Sequence, residues 1–175
     1  MFCVPVRYAR ILKNDVLPYG AIGRHLFENM ISYNNLEFAG RTQGEMITLR
    51  PHHLLCTQGY SGKGYSDDFV ENMDKIVDYL RNNADAKIML KFGDDDLCSR
   101  CPNMDDKKLC RTEEKVRRFD EKTVKYFNLC EKEYNYRQIT EYIDENMSEE
   151  MLKDICDGCS WYAISRCRAN IVRKK

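Results

Sequence analysis

The chain predicts a helix-dominated α+β fold. A small two-stranded sheet, of parallel βαβ type, is followed by a helical, cysteine-rich C-terminal half. Three observations carry this expectation. Two short alternating runs flank a helical pattern, three further apolar patterns at helical spacing follow, and Cys98-x-x-Cys101 and Cys156-x-x-Cys159 interrupt them. At 175 residues, one domain with an appendage is expected.

Residues 1–45 carry scattered Gly, Asn and Tyr without a sustained period, so they read as an N-terminal extension or a misassigned start. A short helix around Gly23 to Ile31 is the only element expected there. The domain is placed at 46–175. Ile47 to Arg50 alternates like a strand, and Pro51 suits the first turn of a helix that holds His52, Leu54, Leu55 and Cys56 and stops at Gly59. Ser61 to Tyr65 is a loop. Ser66 is placed to cap a helix whose Phe69, Met73, Ile76, Val77 and Leu80 share a face, ending at Asn82-Asn83. Lys87 to Phe92 reads as the second strand, and a strand, helices and a strand in that order make a βαβ crossover. Helices are then expected through Val116, Phe119, Thr123 and Phe127, over Tyr136 to Met147, and from Ser148 through Leu152 and Ile155.

Lys plus Arg and Asp plus Glu stand at 28 each, so no global field recruits nucleic acid. No apolar run approaches the roughly 20 residues of a membrane span. The start, Met1-Phe-Cys-Val-Pro, lacks a signal-peptide core. A cytoplasmic location is therefore expected, where thiols stay reduced and free to hold metal.

Of nine cysteines, six form two matching sets: Cys98, Cys101 and Cys110, and Cys156, Cys159 and Cys167. A C-x-x-C pair lets two thiolates converge on one centre, and a third thiol at similar distance in both sets strengthens the signal. On an unbroken helix Cys156, Cys159 and Cys167 would fall at about 0°, 300° and 20°, although Gly158 argues against continuity. Pro102 prevents the first set from being helical throughout. Asp96 is expected to accept backbone N–H bonds before Cys98, with Asp94 and Asp95 in a solvated turn. Zinc and an iron–sulfur cluster both accept these thiols, and spacing alone leaves the choice open. For Cys3 and Cys130, packing as small hydrophobes is the favoured reading.

His52 and Cys56 lie four apart on the expected helix, the spacing of a ligand pair or of a thiol and its base, with His53 about 100° away. Adjacent histidines at a helix start also serve as simple hydrogen-bonding groups. Gly59 to Gly64 does not make a phosphate loop, because the spacing is wrong and Gly64 replaces the required Ser or Thr. The basic end (Arg166, Arg168, Arg173, Lys174, Lys175) reads as a solvated helix terminus.

Leu49-Arg-Pro-His-His-Leu-Leu-Cys56, Gly62-Lys-Gly-Tyr-Ser66, Asp95-Asp-Leu-Cys98-x-x-Cys101-Pro102 and Cys156-x-x-Cys159-x-Trp161 together resemble an uncharacterised bacterial and archaeal family, domain of unknown function 1284. The resemblance spans about Met46 to Arg168. It implies iron–sulfur binding through Cys98, Cys101, Cys110, Cys156, Cys159 and Cys167, and less directly through His52, His53 and Cys56. The expected function is thus a four-iron iron–sulfur protein in electron transfer or redox sensing, with an unidentified redox partner protein. Cys98, Cys101 and Cys110 would form one side, with a fourth ligand from Cys156, Cys159 or Cys167. The alternatives are a zinc-stapled interaction module and a thiol enzyme using Cys56 and His52.

Overall fold

The computed structural model describes residues 46–107 and 109–172. The extension over 1–45, its expected helix and Cys3 lie outside the described residues.

Strand β1 (Ile47–Leu49) leads through α1 (His53–Gly59) and α2 (Asp67–Asn82) to β2 (Lys87–Leu90). β1 and β2 pair in parallel, with Ile47 opposite Ile88 and Leu49 opposite Leu90, which is the expected crossover. All four side chains are buried, because alternate residues of a strand share one face. Then follow a 3₁₀ turn at Cys98–Arg100, α3 (Glu113–Phe127), β3 (Lys132–Asn135), α4 (Tyr136–Asn146), α5 (Glu149–Ile155) and α6 (Cys167–Ile171).

The sheet has three strands rather than two, in the order β1-β2-β3. β3 runs antiparallel to β2 and sets Tyr134 opposite Ile88. Lys132-Glu133-Tyr134-Asn135 offers a single apolar side chain, so no alternation marks it in the sequence. Charged residues facing outward are normal on an edge strand, and here Glu133 pairs with Lys87 at 2.8 Å. Pairing with β2, a tertiary event, decides this strand.

The helices follow their apolar faces. Ser66 accepts the Phe69 N–H at 3.2 Å and Ser148 the Met151 N–H at 3.2 Å, so both expected caps form. Met73, Ile76, Val77 and Leu80 of α2, Phe119 and Phe127 of α3, Ile139 and Ile143 of α4, and Leu152 and Ile155 of α5 are all buried. α3 ends at Asn128, whose φ of 49° is the left-handed conformation Asn tolerates. Between α5 and α6 the chain turns, with Gly158 at φ 79°, so the second cysteine set does not share one helix. α6 was not anticipated as an element. It buries Cys167 and Ile171, and its exposed Arg168 reaches Glu149 at 2.6 Å. Among the described residues no helix is long and apolar enough to cross a membrane.

Candidate functional site

The site is built on the junction of β1 and α1. Arg50 is only 2% exposed, and its charge is met on three sides. Its Nε donates to Asp120 at 2.7 Å, and its two terminal nitrogens reach Glu113 at 3.1 and 3.2 Å. Burial opposes the charged form, but Glu113 and Asp120 outweigh it and hold the guanidinium firmly protonated. Asp120 comes from α3 and spends its other oxygen on His52, accepting the backbone N–H at 3.0 Å and facing Nδ1 at 2.7 Å. Burial works against the Asp120 carboxylate, yet its contacts with His52 and Arg50 keep its pKa below the ordinary range.

Burial first, then the neighbouring His53, lowers the His52 pKa to about 4. The ring is therefore neutral at pH 7, and an ionised carboxylate at Nδ1 places its one proton there. Nε2 is left with a lone pair, the arrangement in which a carboxylate orients an imidazole toward a ligand. The Nδ1 of His53 lies 2.6 Å from Asp95. The two rings lie 4.3 Å apart, centre to centre, and both line one cavity. His52 directly precedes α1 and already has helical backbone angles, φ −72° and ψ −19°.

Asp95 is the acidic residue that shapes the first cysteine turn. Asp96, expected in that role, and Asp95, expected in a solvated turn, exchange places. One Asp95 oxygen accepts the Leu97 and Cys98 N–H groups, both at 3.1 Å, and the other accepts the Arg50 N–H at 2.8 Å. Burial opposes ionisation, but His53, the Arg50 backbone N–H and the Cys98 thiol bring its pKa down to about 2. Asp96 instead accepts the Thr48 N–H at 2.6 Å, tying the turn to β1. A run of three aspartates gives no local sign of which one will face inward.

The cavity has a volume of about 140 Å³. Cys56, Cys98, Cys101, Cys110, Cys156, Cys159 and Cys167 all line it, and all are free thiols. Tyr65 closes one side, packed edge-on to Trp161 at 5.0 Å and to Phe69 at 5.3 Å. In the first set, Cys98 opens the 3₁₀ turn, and an antiparallel bridge between Met104 and Cys110 closes the loop behind Pro102. In the second, Cys156 ends α5, Cys159 donates its N–H to the Cys156 carbonyl at 2.9 Å, and Cys167 begins α6. Cys130 is not among the lining residues, and it is disulfide-bonded rather than packed as a free thiol as expected.

Burial is the main influence on Cys56, Cys98, Cys101, Cys156 and Cys167. It pushes Cys56 and Cys98 far above the ordinary thiol range and Cys156 up to about 12. They are neutral at pH 7 unless a cation enters to hold them as thiolates. Among the described residues, no three His, Cys, Asp or Glu side chains converge closely enough to hold a single ion. The donors stand around a volume instead. Seven free thiols and the two histidine rings line it.

Fold and site together define a small α+β domain built around a thiol-lined cavity. The chain belongs to the family described as Protein of unknown function (DUF1284), which matches residues 64–165. No curated protein and no solved structure matches it. The matched stretch holds Cys98, Cys101, Cys110, Cys156 and Cys159. The fold adds His52, His53, Cys56 and Cys167 to the same cavity from outside that stretch.

Proposed function

We propose that this domain binds an iron–sulfur cluster, of the four-iron type, in the thiol-lined cavity, and that it serves electron transfer or redox sensing. The observation that supports the reading is the gathering of seven free cysteines, from positions 56 to 167, on one cavity. A cytosolic protein has little use for so many buried thiols as packing alone, and a buried thiol becomes a strong ligand once a metal displaces its proton. When bound, the cluster supplies one-electron chemistry. The chain's own residues would hold it, shield it from water behind Tyr65 and Trp161, and present imidazole Nε2 atoms beside it. Electrons would be exchanged with a partner protein.

The nucleophile reading of Cys56 is the weaker one, because burial keeps that thiol protonated.

The test is the visible spectrum of protein purified without oxygen, with iron, acid-labile sulfide and zinc assayed on the same sample. Broad visible absorbance with matching iron and sulfide is expected. A colourless protein with stoichiometric zinc, still without a cluster after anaerobic reconstitution, would overturn the reading in favour of a zinc-stapled module.

A further inference from the structure

We infer that residues 157–166 form a flap over the thiol cavity, pivoting at Gly158 and latched by Trp161 against Tyr65, and that its opening gives access to the cavity. What the flap admits, an iron–sulfur group, rests on the cluster reading above. The flap itself is a property of the chain alone.

The other walls of the cavity are fastened. Leu55 of α1, Phe119 of α3 and Ile155 of α5 are buried side chains of packed helices. The first cysteine loop is irregular but tied at several points. Asp95 accepts the Arg50 N–H at 2.8 Å, the Asp96 N–H donates to the Thr48 carbonyl at 3.3 Å, and the Arg111 N–H donates to the Asn103 carbonyl at 2.9 Å.

Residues 157–166 are held differently. The chain leaves α5 at Ile155 and re-enters regular structure at Cys167. Between them, the N–H groups of Asp157, Cys159, Tyr162, Ile164 and Ser165 donate to carbonyls of the segment itself or of the adjoining end of α5. Among the described residues, one backbone bond ties the segment to another element: the Arg166 N–H donates to the Gly59 carbonyl at 3.1 Å, beside the start of α6. A unit whose hydrogen bonds are internal can swing without leaving backbone groups unpaired. Gly158 stands at the opposite end, at φ 79°, with no heavy atom within 4 Å of the place a Cβ would take. A glycine in open space turns with little hindrance.

The latch is aromatic. Trp161 lines the cavity and meets Tyr65 edge-on at 5.0 Å, and Tyr65 is braced by Phe69 at 5.3 Å. Tyr65 stands on the fixed side. A Cβ on the preceding Gly64 would lie 2.7 Å from Phe69 and 2.8 Å from Val70, and the following Ser66 caps α2. The contact lies at the mouth, where Tyr65 is 44% and Ile164 54% exposed. An edge-to-face pair adds only a small increment to burial, so it holds the flap shut without sealing it.

Cys159 rides on the flap between the pivot and Trp161, whereas Cys56 belongs to α1 and Cys98 to the fastened loop. A bond from the Cys159 thiolate to a group in the cavity would add a second latch and link occupancy to closure. That link gives the sensing role an output, because losing the group releases the flap.

The test uses the reduced, metal-free full chain in wild-type, Gly158→Asn and Tyr65→Ala forms. Iodoacetamide alkylation of Cys98, far from the pivot in sequence, is followed by peptide mass spectrometry, with circular dichroism to establish folding. Asn accepts the left-handed conformation but moves less freely than Gly, so Gly158→Asn should slow Cys98 by about two- to fivefold. Tyr65→Ala should speed it by about two- to tenfold, the weight of one aromatic pair. Trp161 is the sole tryptophan of the chain, and its quenching by acrylamide should fall in Gly158→Asn. In the wild type the Cys98 rate should stay flat in urea too dilute to unfold the domain, because a flap exposes little surface. That measurement needs no variant, so a misfolded one leaves the inference open to refutation. A wild-type rate that climbs with urea as steeply as global unfolding overturns the flap, and so does a rate that neither variant moves. After anaerobic reconstitution with ferrous iron and sulfide, a chelator should strip iron more slowly from Gly158→Asn than from wild type, and equal rates overturn the link to occupancy. A wild type that takes up no iron and sulfide overturns the cluster reading, while the alkylation rates still decide the flap.

Discussion

The two cysteine sets resemble each other as text and differ in what holds them. Cys98, Cys101 and Cys110 sit on a loop shaped by polar contacts. Asp95 gathers two backbone N–H groups and His53, Asp96 reaches back to β1, and a two-residue bridge closes the far end. Cys156, Cys159 and Cys167 sit where three helices meet, and the close approach of α6 to α1 sets their position. A similar spacing of thiols therefore arises from charge-assisted hydrogen bonds in one region and from steric packing in the other. The difference gives each set its own weak point, and separate perturbations should act on one set at a time.

The largest effect is expected from Gly59→Ala. The added methyl meets Cys167 Sγ and the backbone of α6 at once, so the two helices must separate. A loss of about 3 kcal/mol in denaturant unfolding is expected, at the upper end of overpacking effects. The same variant should raise the alkylation rates of Cys56 and Cys167 well above those of Cys98. Equal acceleration of all the cavity thiols would break the proposed division.

Asp95→Asn attacks the other set. It removes the anion that binds His53 and three backbone N–H donors, with an expected loss of about 2 kcal/mol, and it should free Cys98, Cys101 and Cys110 to react faster. It should also change the acid limb of stability in metal-free protein. The Asp95 pKa is lower in the folded state than its ordinary 3.8. Its stabilisation is therefore complete above pH 3.8 and is lost as pH falls toward about 2, where the folded state protonates too. His52 acts in a different window. Its pKa falls from 6.5 to about 4, so the unfolded chain takes up a proton first and stability declines between those values. Asp95→Asn should flatten the lower window and spare the upper one, as followed by thermal unfolding across pH.

Ser148→Ala makes the smallest change. It removes the cap of α5, the helix that delivers Cys156, and should lower stability by about 1 kcal/mol while leaving the alkylation of Cys98 unaltered.

Much of the frame was legible without coordinates. The apolar spacing of α2 and α3, the serine caps at Ser66 and Ser148, the alternation of β1 and β2 and their parallel crossover all express local periodicity. So did the six paired cysteines and the irregularity imposed by Pro102 and Gly158. β3 escaped because Lys132-Glu133-Tyr134-Asn135 has no pattern of its own and becomes a strand only by pairing with β2. α6 escaped because the five residues Cys167–Ile171 carry too short a period.

The sequence by itself determined that this is a helix-dominated α+β domain rich in thiols, since spacing along a chain encodes which faces are apolar and which residues can ligate. Only the tertiary structure decided which thiols share surroundings, which aspartate of three turns inward, and that Asp120, 68 residues beyond His52, orients that imidazole. Those choices depend on contacts between segments far apart in the chain, where local spacing has no reach. Burial in a common cavity then shifts the chemistry of every group that lines it.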